Sequence, residues 1–248
     1  MLAHEQLESG PSRLELRIAT TATRPVLDHV LILVHGLPRA YGMGRQAAGL
    51  LPELAEHLAN ESGWLVASGT LSGVGTSSGT FSAHQWRRDL SAIIDRFDDG
   101  NRRISLAAFG LGGALALDTA ANDERVRGVA TFATPADLAR WCGQPEDLHQ
   151  IVSSAGVVDP AVALQDAHEL VDDLMTLDPL GAAKVIPPRR FLIGHGSDDR
   201  DVPVSEARAL LAAADGRAEL RVIQGAGHWL RADPRMVATL LGWLDRHR

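Results

Sequence analysis

The residues of this chain that could do chemistry gather in three short stretches. In the first, Arg103-Ile104-Ser105-Leu106-Ala107-Ala108-Phe109 is an apolar run of strand length, Gly110 follows, and Leu111-Gly112-Gly113-Ala114-Leu115-Ala116-Leu117 is a small-residue run that favours a helix. A strand that turns at once into a helix forms an elbow, a setting in which a nucleophile stands above a sheet and helix N–H groups face developing negative charge. In the second, Asp198, Asp199 and Asp201 crowd the loop that follows Arg190-Phe191-Leu192-Ile193-Gly194. In the third, His228 lies in Gly225-Ala226-Gly227-His228-Trp229, just after Leu220-Arg221-Val222-Ile223. A carboxylate that orients an imidazole makes a general base, and a base beside an elbow can serve acyl transfer. On charge alone, the three carboxylates read equally as solvated loop residues.

The elements that must hold these stretches are visible as periodicity. Arg13 to Ala22 alternates polar and apolar side chains, as a half-exposed strand at a sheet edge does. Val30-Leu31-Ile32-Leu33-Val34 is an unbroken β-favouring run, expected of a strand covered on both faces. Helical spacing follows over Gly44 to Asn60, then a strand at Trp64-Leu65-Val66-Ala67, a helix over Trp86 to Phe97, and the elbow. Val126 to Phe132 reads as the next strand, Ser205 to Ala214 as a helix, Leu220 to Ile223 as the last strand and Met236 to Leu244 as the closing helix. Such alternation predicts an α/β fold: a doubly wound, mostly parallel sheet with helices on both faces. Residues 136–185 break the alternation with helical patches and no strand signal, so they read as a small helical cap inserted in a core of residues 1–135 and 186–248.

Composition narrows the classes. The 248 residues fit one large domain that buries roughly three quarters of its unfolded surface. A single Cys142 rules out an internal disulfide and fits a reducing cytoplasm. With 24 basic and 31 acidic residues the net charge is −7, no run of the chain clusters basic residues, and neither a nucleic-acid nor a membrane surface is expected. The N-terminus does not read as a secretory signal and no apolar run reaches membrane-spanning length, so the expectation is a cytoplasmic protein acting on a small molecule. Its oligomeric state is not encoded legibly, and no cofactor or metal motif is present.

Taken together, the stretches resemble the α/β-hydrolase family, in particular its serine aminopeptidase-like and monoacylglycerol lipase-like branch. The family's elbow reads Gly-x-Ser-x-Gly-Gly; here the corresponding residues are Ala108-Phe109-Gly110-Leu111-Gly112-Gly113. His35-Gly36-Leu37-Pro38 resembles the turn that supplies half of the oxyanion hole, and the loop Gly69-Thr70-Leu71-Ser72-Gly73-Val74-Gly75-Thr76-Ser77-Ser78-Gly79 resembles the Gly-x-Gly-x-Ser-x-Gly segment of lipase-like and aminopeptidase-like members. His195-Gly196-Ser197-Asp198-Asp199-Arg200-Asp201-Val202-Pro203 resembles the His-Gly-x-x-Asp-x-x-Val-Pro signature, whose register selects Asp199 as the acid. Gly225-Ala226-Gly227-His228 resembles the loop of the catalytic His, and the order elbow, Asp, His agrees with the fold. The resemblance covers residues 13–248. It implies that Leu37 and Leu111 supply oxyanion N–H groups, and that His35, Gly36, Arg39 and Trp141 lie where substrate is held. Asp137 is the alternative acid site of some branches.

Gly110 is the departure. Without a hydroxyl there the covalent acyl-enzyme route is closed, and in a measured serine hydrolase loss of the nucleophile costs about 10⁶ in turnover. Ser72, Ser77, Ser78 and Cys142 carry suitable atoms, but none lies in an elbow. Three readings follow. The chain performs non-covalent, general-base chemistry on a small ester or carbonyl compound, using Asp199 and His228; or it is a non-catalytic pseudo-hydrolase that binds a small ligand; or it is an ordinary serine esterase or peptidase-type hydrolase with its Ser replaced. A group of bacterial members with an elbow reading Gly-Phe-Gly-x-Gly-Gly is similar here, which makes a natural Gly unexceptional.

Overall fold

The computed structural model describes residues 1–21, 28–37, 51–155, 157 and 167–246. Among them one eight-stranded sheet runs in the order β1-β2-β4-β3-β5-β6-β7-β8. Its strands are β1 (Leu2–Ser9), β2 (Ser12–Ala19), β3 (His29–Val34), β4 (Leu65–Thr70), β5 (Arg103–Phe109), β6 (Val126–Phe132), β7 (Arg190–Gly196) and β8 (Glu219–Ile223). β3 to β8 pair in parallel, whereas β1 and β2 are antiparallel. The mostly parallel α/β sheet is as expected.

The helices fall on its two faces. α1 (Leu51–Ser62) and α9 (Pro234–Asp245) cover one; Leu54, Leu58, Leu240 and Trp243 meet Leu31, Leu33 and Leu192 there. α2 (Ala83–Phe97), α3 (Leu111–Asn122), α7 (Pro179–Val185) and α8 (Val204–Ala213) cover the other, where Trp86, Leu115, Ala183 and Leu210 meet Val30, Ile32 and Leu106. β3 therefore sends alternate residues into both cores, which is why its sequence is apolar without interruption. Each such buried side chain contributes roughly 1.5–3 kcal/mol relative to exposure. Between β6 and β7 lie α4 (Leu138–Cys142), α5 (Pro145–Ala155) and α6 (Ala167–Met175). Their Leu138, Cys142, Leu148, Val152, Leu170 and Leu174 join the same apolar cluster as that face of the sheet, so these helices rest on the core. α7, also between β6 and β7, packs on α3 and α8 as a helix of the main layer.

One element differs from expectation. The edge position expected for Arg13–Ala22 belongs to β1, which pairs with β2 through a two-residue turn at Gly10-Pro11. β1 carries Glu5, Gln6 and Glu8 and is largely exposed, so it shows no apolar alternation; the Gly-Pro turn was its signal. The hairpin is fastened by Asp89, a fully buried carboxylate on α2 that accepts from Ser9 Oγ (2.7 Å), Gln85 Nε2 (2.8 Å) and the Ser72 N–H (2.7 Å). The expected helix is described as α1 over Leu51–Ser62, and its residues 44–50 lie outside the described residues. No described helix is long and apolar enough to cross a membrane.

A tight backbone constraint lies at the elbow, where a Cβ on Gly112 would lie 2.2 Å from the carbonyl oxygen of His35. Backbone cannot swing aside as a flexible side chain can. Gly112→Ala is expected to destabilise the protein by about 3 kcal/mol, whereas Gly227→Ala, whose Cβ would meet nothing within 4 Å, is expected to change little. Urea unfolding of both variants measures the difference.

Candidate active site

The elbow forms where β5 ends. Gly110 adopts φ +55°, ψ −130°, a region that disfavours residues with a Cβ, and its N–H donates to the Phe132 carbonyl at 2.9 Å. No side chain caps α3; in its first turn the Gly113 N–H donates to the Gly110 carbonyl at 2.9 Å. β3 ends beside it, and its continuation His35-Gly36-Leu37 is pressed against the elbow backbone.

His228 and Asp199 meet as the motifs imply. His228 Nδ1 and Asp199 Oδ2 are 2.9 Å apart, and Asp199 Oδ1 accepts from the N–H groups of Asp201 and Val202, each at 2.9 Å. The carboxylate is fully buried, and the imidazole is 22% exposed. Burial alone would raise the Asp199 pKa; the bonds from His228, Val202 and Asp201 outweigh it and hold the pKa below its ordinary value. Asp199 therefore stays an anion, and its bond to Nδ1 fixes that nitrogen as the donor and leaves Nε2 as the basic atom. Nε2 faces the elbow: a Cβ built on Gly110 would lie 3.8 Å from it and 3.8 Å from the Gly36 Cα. Asp198 and Asp201 stay exposed. Asp199, Asp201 and His228 have ligating atoms within 4.8 Å of one another, the arrangement a metal would need, but both oxygens of Asp199 are already engaged.

The other named residues have definite places. His35 is buried, its Nε2 accepts from the Leu71 N–H at 2.9 Å, and its Nδ1 therefore carries the proton and donates to the Gly36 carbonyl at 2.9 Å. It braces the turn from below and packs edge-on against Trp86. Burial, aided by the charge of Arg231, lowers its pKa to about 4 against the smaller opposing effect of the Gly36 bond. Leu37 and Leu111 are buried on either side of the elbow, and Trp141 on α4 is partly buried against the core. Arg39 lies outside the described residues. Ser77 Oγ and Ser78 Oγ accept from the N–H groups of Glu15 and Arg13 at 2.9 and 2.8 Å, so that loop is docked on β2. Cys142 is buried in the core, and Asp137 caps α4 by accepting from the Arg140 N–H.

One feature was not anticipated. Trp229 is 52% exposed beside His228, with the Arg231 guanidinium stacked 4.5 Å over its ring. Arg231 Nε is buried without a hydrogen-bond partner. The aromatic residue directly after the His motif was the available signal.

This sheet order, with the elbow after β5, an acid after β7 and a histidine after β8, is the α/β-hydrolase fold. Solved structures agree. The α/β hydrolase GrgF from Penicillium sp. sh18 superposes with a TM-score of 0.72 at 19% identity, over 100% of this chain and 99% of that one. The esterase domain of a Rhodothermus marinus protein gives 0.71 at 18%, over 100% and 97%. An α/β serine hydrolase homologue from Coxiella burnetii gives 0.63 at 18%, over 99% and 96%. No family model and no curated protein matches the sequence.

His35 makes the site sensitive to acid. Its folded pKa lies below the unfolded value of about 6.5, so its stabilising contribution is complete above that value and is lost as pH falls toward 4. The loss is on the order of 3 kcal/mol. His35→Gln should be less stable than the parent at pH 7 yet show a shallower decline between pH 7 and pH 4.5, measured by urea unfolding at fixed ionic strength.

Proposed function

We propose that this chain is a hydrolase-type enzyme that acts on a small ester or related carbonyl compound without a covalent nucleophile. The observation that carries the reading is the orientation of the dyad: His228 Nε2 remains aimed at the place where a nucleophile would stand, 3.8 Å from the Cβ position of Gly110. On this reading Nε2 takes a proton from a water molecule as the water oxygen bonds to the substrate carbonyl carbon. The N–H groups of Leu37 and Leu111 hold the resulting oxyanion. Collapse of the tetrahedral species breaks the bond to the leaving group, which receives the proton from Nε2, and the products are an acid and an alcohol. General-base assistance of this kind contributes about 10² to 10⁴, and each oxyanion donor about 10² to 10³. Turnover well below that of a serine esterase follows.

Trp229 at the rim, with the cation of Arg231 over it, offers the substrate an aromatic face. Nothing in this scheme needs a cofactor.

The test is turnover of short activated esters by the parent, Gly110→Ser and Gly110→Ser with His228→Ala. The parent should be slow, without an acyl-enzyme burst and without fluorophosphonate labelling, and its rate should fall to background in His228→Ala. Gly110→Ser should cost about 1–3 kcal/mol because φ is +55°, with no clash since both contacts are ordinary ones. It should also gain a burst and a large rise in rate that the second substitution removes. A folded, inactive Ser variant together with a parent unaffected by His228→Ala would overturn the proposal and favour a ligand-binding protein.

A further inference from the structure

The opposite end of the sheet holds a second site. A cavity of about 430 Å³ opens at the starts of the central strands, lined by His29, Trp64, Arg102, Arg103, Ser105, Arg127 and Arg190 together with Gly100 and Asn101. The side chains reach it for a topological reason. His29, Arg103 and Arg190 open β3, β5 and β7, and Leu31, Ala107 and Leu192 further along the same strands enter the α1/α9 core, at even spacing from those first residues. The same period turns the first residue of each strand to that face. His29 stands directly opposite Arg103 in the ladder, and Arg190 opposite Gly128, the neighbour of Arg127.

This cluster is unusual in two respects. Four arginines converge in a protein of net charge −7, and among the described residues no acidic side chain lines the cavity itself, Asp28 and Asp99 lying beside His29 and Arg102. Arg102 pairs with Asp99 at 3.2 Å, and Arg190 donates to the Arg246 carbonyl at 2.8 Å, but Arg103 and Arg127 make no ion pair and no side-chain hydrogen bond among the described residues. The second respect is a set of unmet hydrogen-bonding groups. Trp64 is 1% exposed and its indole N–H has no partner among the described residues, nor do the two buried ring nitrogens of His29, whose ring lies 4.6 Å from that of Trp64. Buried polar groups are normally satisfied, and like charges are normally kept apart, so holding both together is costly without a ligand. Burial, with Arg103 and Arg190 nearby, lowers the His29 pKa against the opposing charge of Asp28.

We infer that this cavity binds a compact polyanion carrying several acceptor oxygens, a di- or oligophosphate or a polycarboxylate. Guanidinium forks match such oxygens in pairs, and the Trp64 N–H and a His29 N–H add neutral donors. The site is distinct from the dyad: β5 runs for seven residues between Arg103 and the elbow, about 20 Å. A bound anion therefore does not compete with substrate.

The experiment is calorimetric titration of the full chain with inorganic pyrophosphate and, separately, with citrate, at constant ionic strength. Saturable one-to-one binding of at least one is expected, and tighter binding of pyrophosphate or of citrate assigns the source as a phosphate or a carboxylate. Arg103→Ser with Arg127→Ser should weaken it tenfold or more, while its thermal midpoint without ligand stays equal to or above the parent's, since two unpaired like charges are removed. His228→Ala should bind as the parent does. No saturable binding of either anion, undiminished binding by the double variant, or loss of binding in His228→Ala would overturn the inference.

Discussion

The structure depends on one contact between backbones. The turn after β3 and the elbow after β5 approach so closely that neither Gly36 nor Gly112 has room for a Cβ: one on Gly36 would lie 2.8 Å from the Phe109 carbonyl oxygen, and one on Gly112 would lie 2.2 Å from that of His35. Side chains could adjust; two carbonyl groups anchored in adjacent parallel strands cannot. The contact thus fixes the distance between Leu37 and Leu111 by covalent geometry and sheet register alone. His35 supports it from the opposite side, and its two hydrogen bonds leave it a single orientation. What would otherwise be a mobile crossing of loops becomes a rigid seat above which a carbonyl can be held.

Onto that seat the fold brings a charge balanced within narrow limits. Asp199 has no exposed surface on its side chain, so its anion survives only because three donors face it, two from its own loop and one from His228. Remove the imidazole and the loop N–H groups still satisfy one oxygen; remove the loop geometry and neither the acid nor the base is oriented. His195 is packed into the same place, donating to the Val202 carbonyl at 2.8 Å, so the residue that shapes the acid loop is itself a buried histidine. Burial lowers its pKa and keeps it from adding a positive charge that would compete for Asp199.

Most of this was legible in the chain because it follows from local pattern. Val30–Val34 declared itself by being apolar at every position, and Arg103–Phe109 with its small-residue helix by the abrupt change of period at Gly110. The sequence marked the Asp199 and His228 loops by glycines and prolines at set distances. β1 was hidden because Leu2–Ser9 is mostly exposed and held by hydrogen bonds that any polar sequence can make. The arginine cavity was hidden for a different reason. Arg103, Arg127 and Arg190 are separated by tens of residues, and only the register of β5, β6 and β7 makes them neighbours. Trp229 was visible as a residue but not as an exposed one, since exposure depends on the turn Leu230–Ala232 that follows it.

A retained Asp-His pair does not by itself argue for catalysis, because such a pair can persist as a brace. Structural histidines nearby show both patterns: His35 bonds through both nitrogens, whereas His195 bonds through Nε2 alone and its Nδ1 has no partner among the described residues. His228 satisfies only one. Its Nε2 makes no hydrogen bond among the described residues, the ring keeps 22% of its surface open, and the atom points at a glycine whose backbone retains the strained turn a nucleophile would require. Gly110 accommodates that conformation at little energetic cost, so strain gives no reason for it to relax. The site thus holds an imidazole oriented by Asp199, with its second nitrogen turned toward the start of α3.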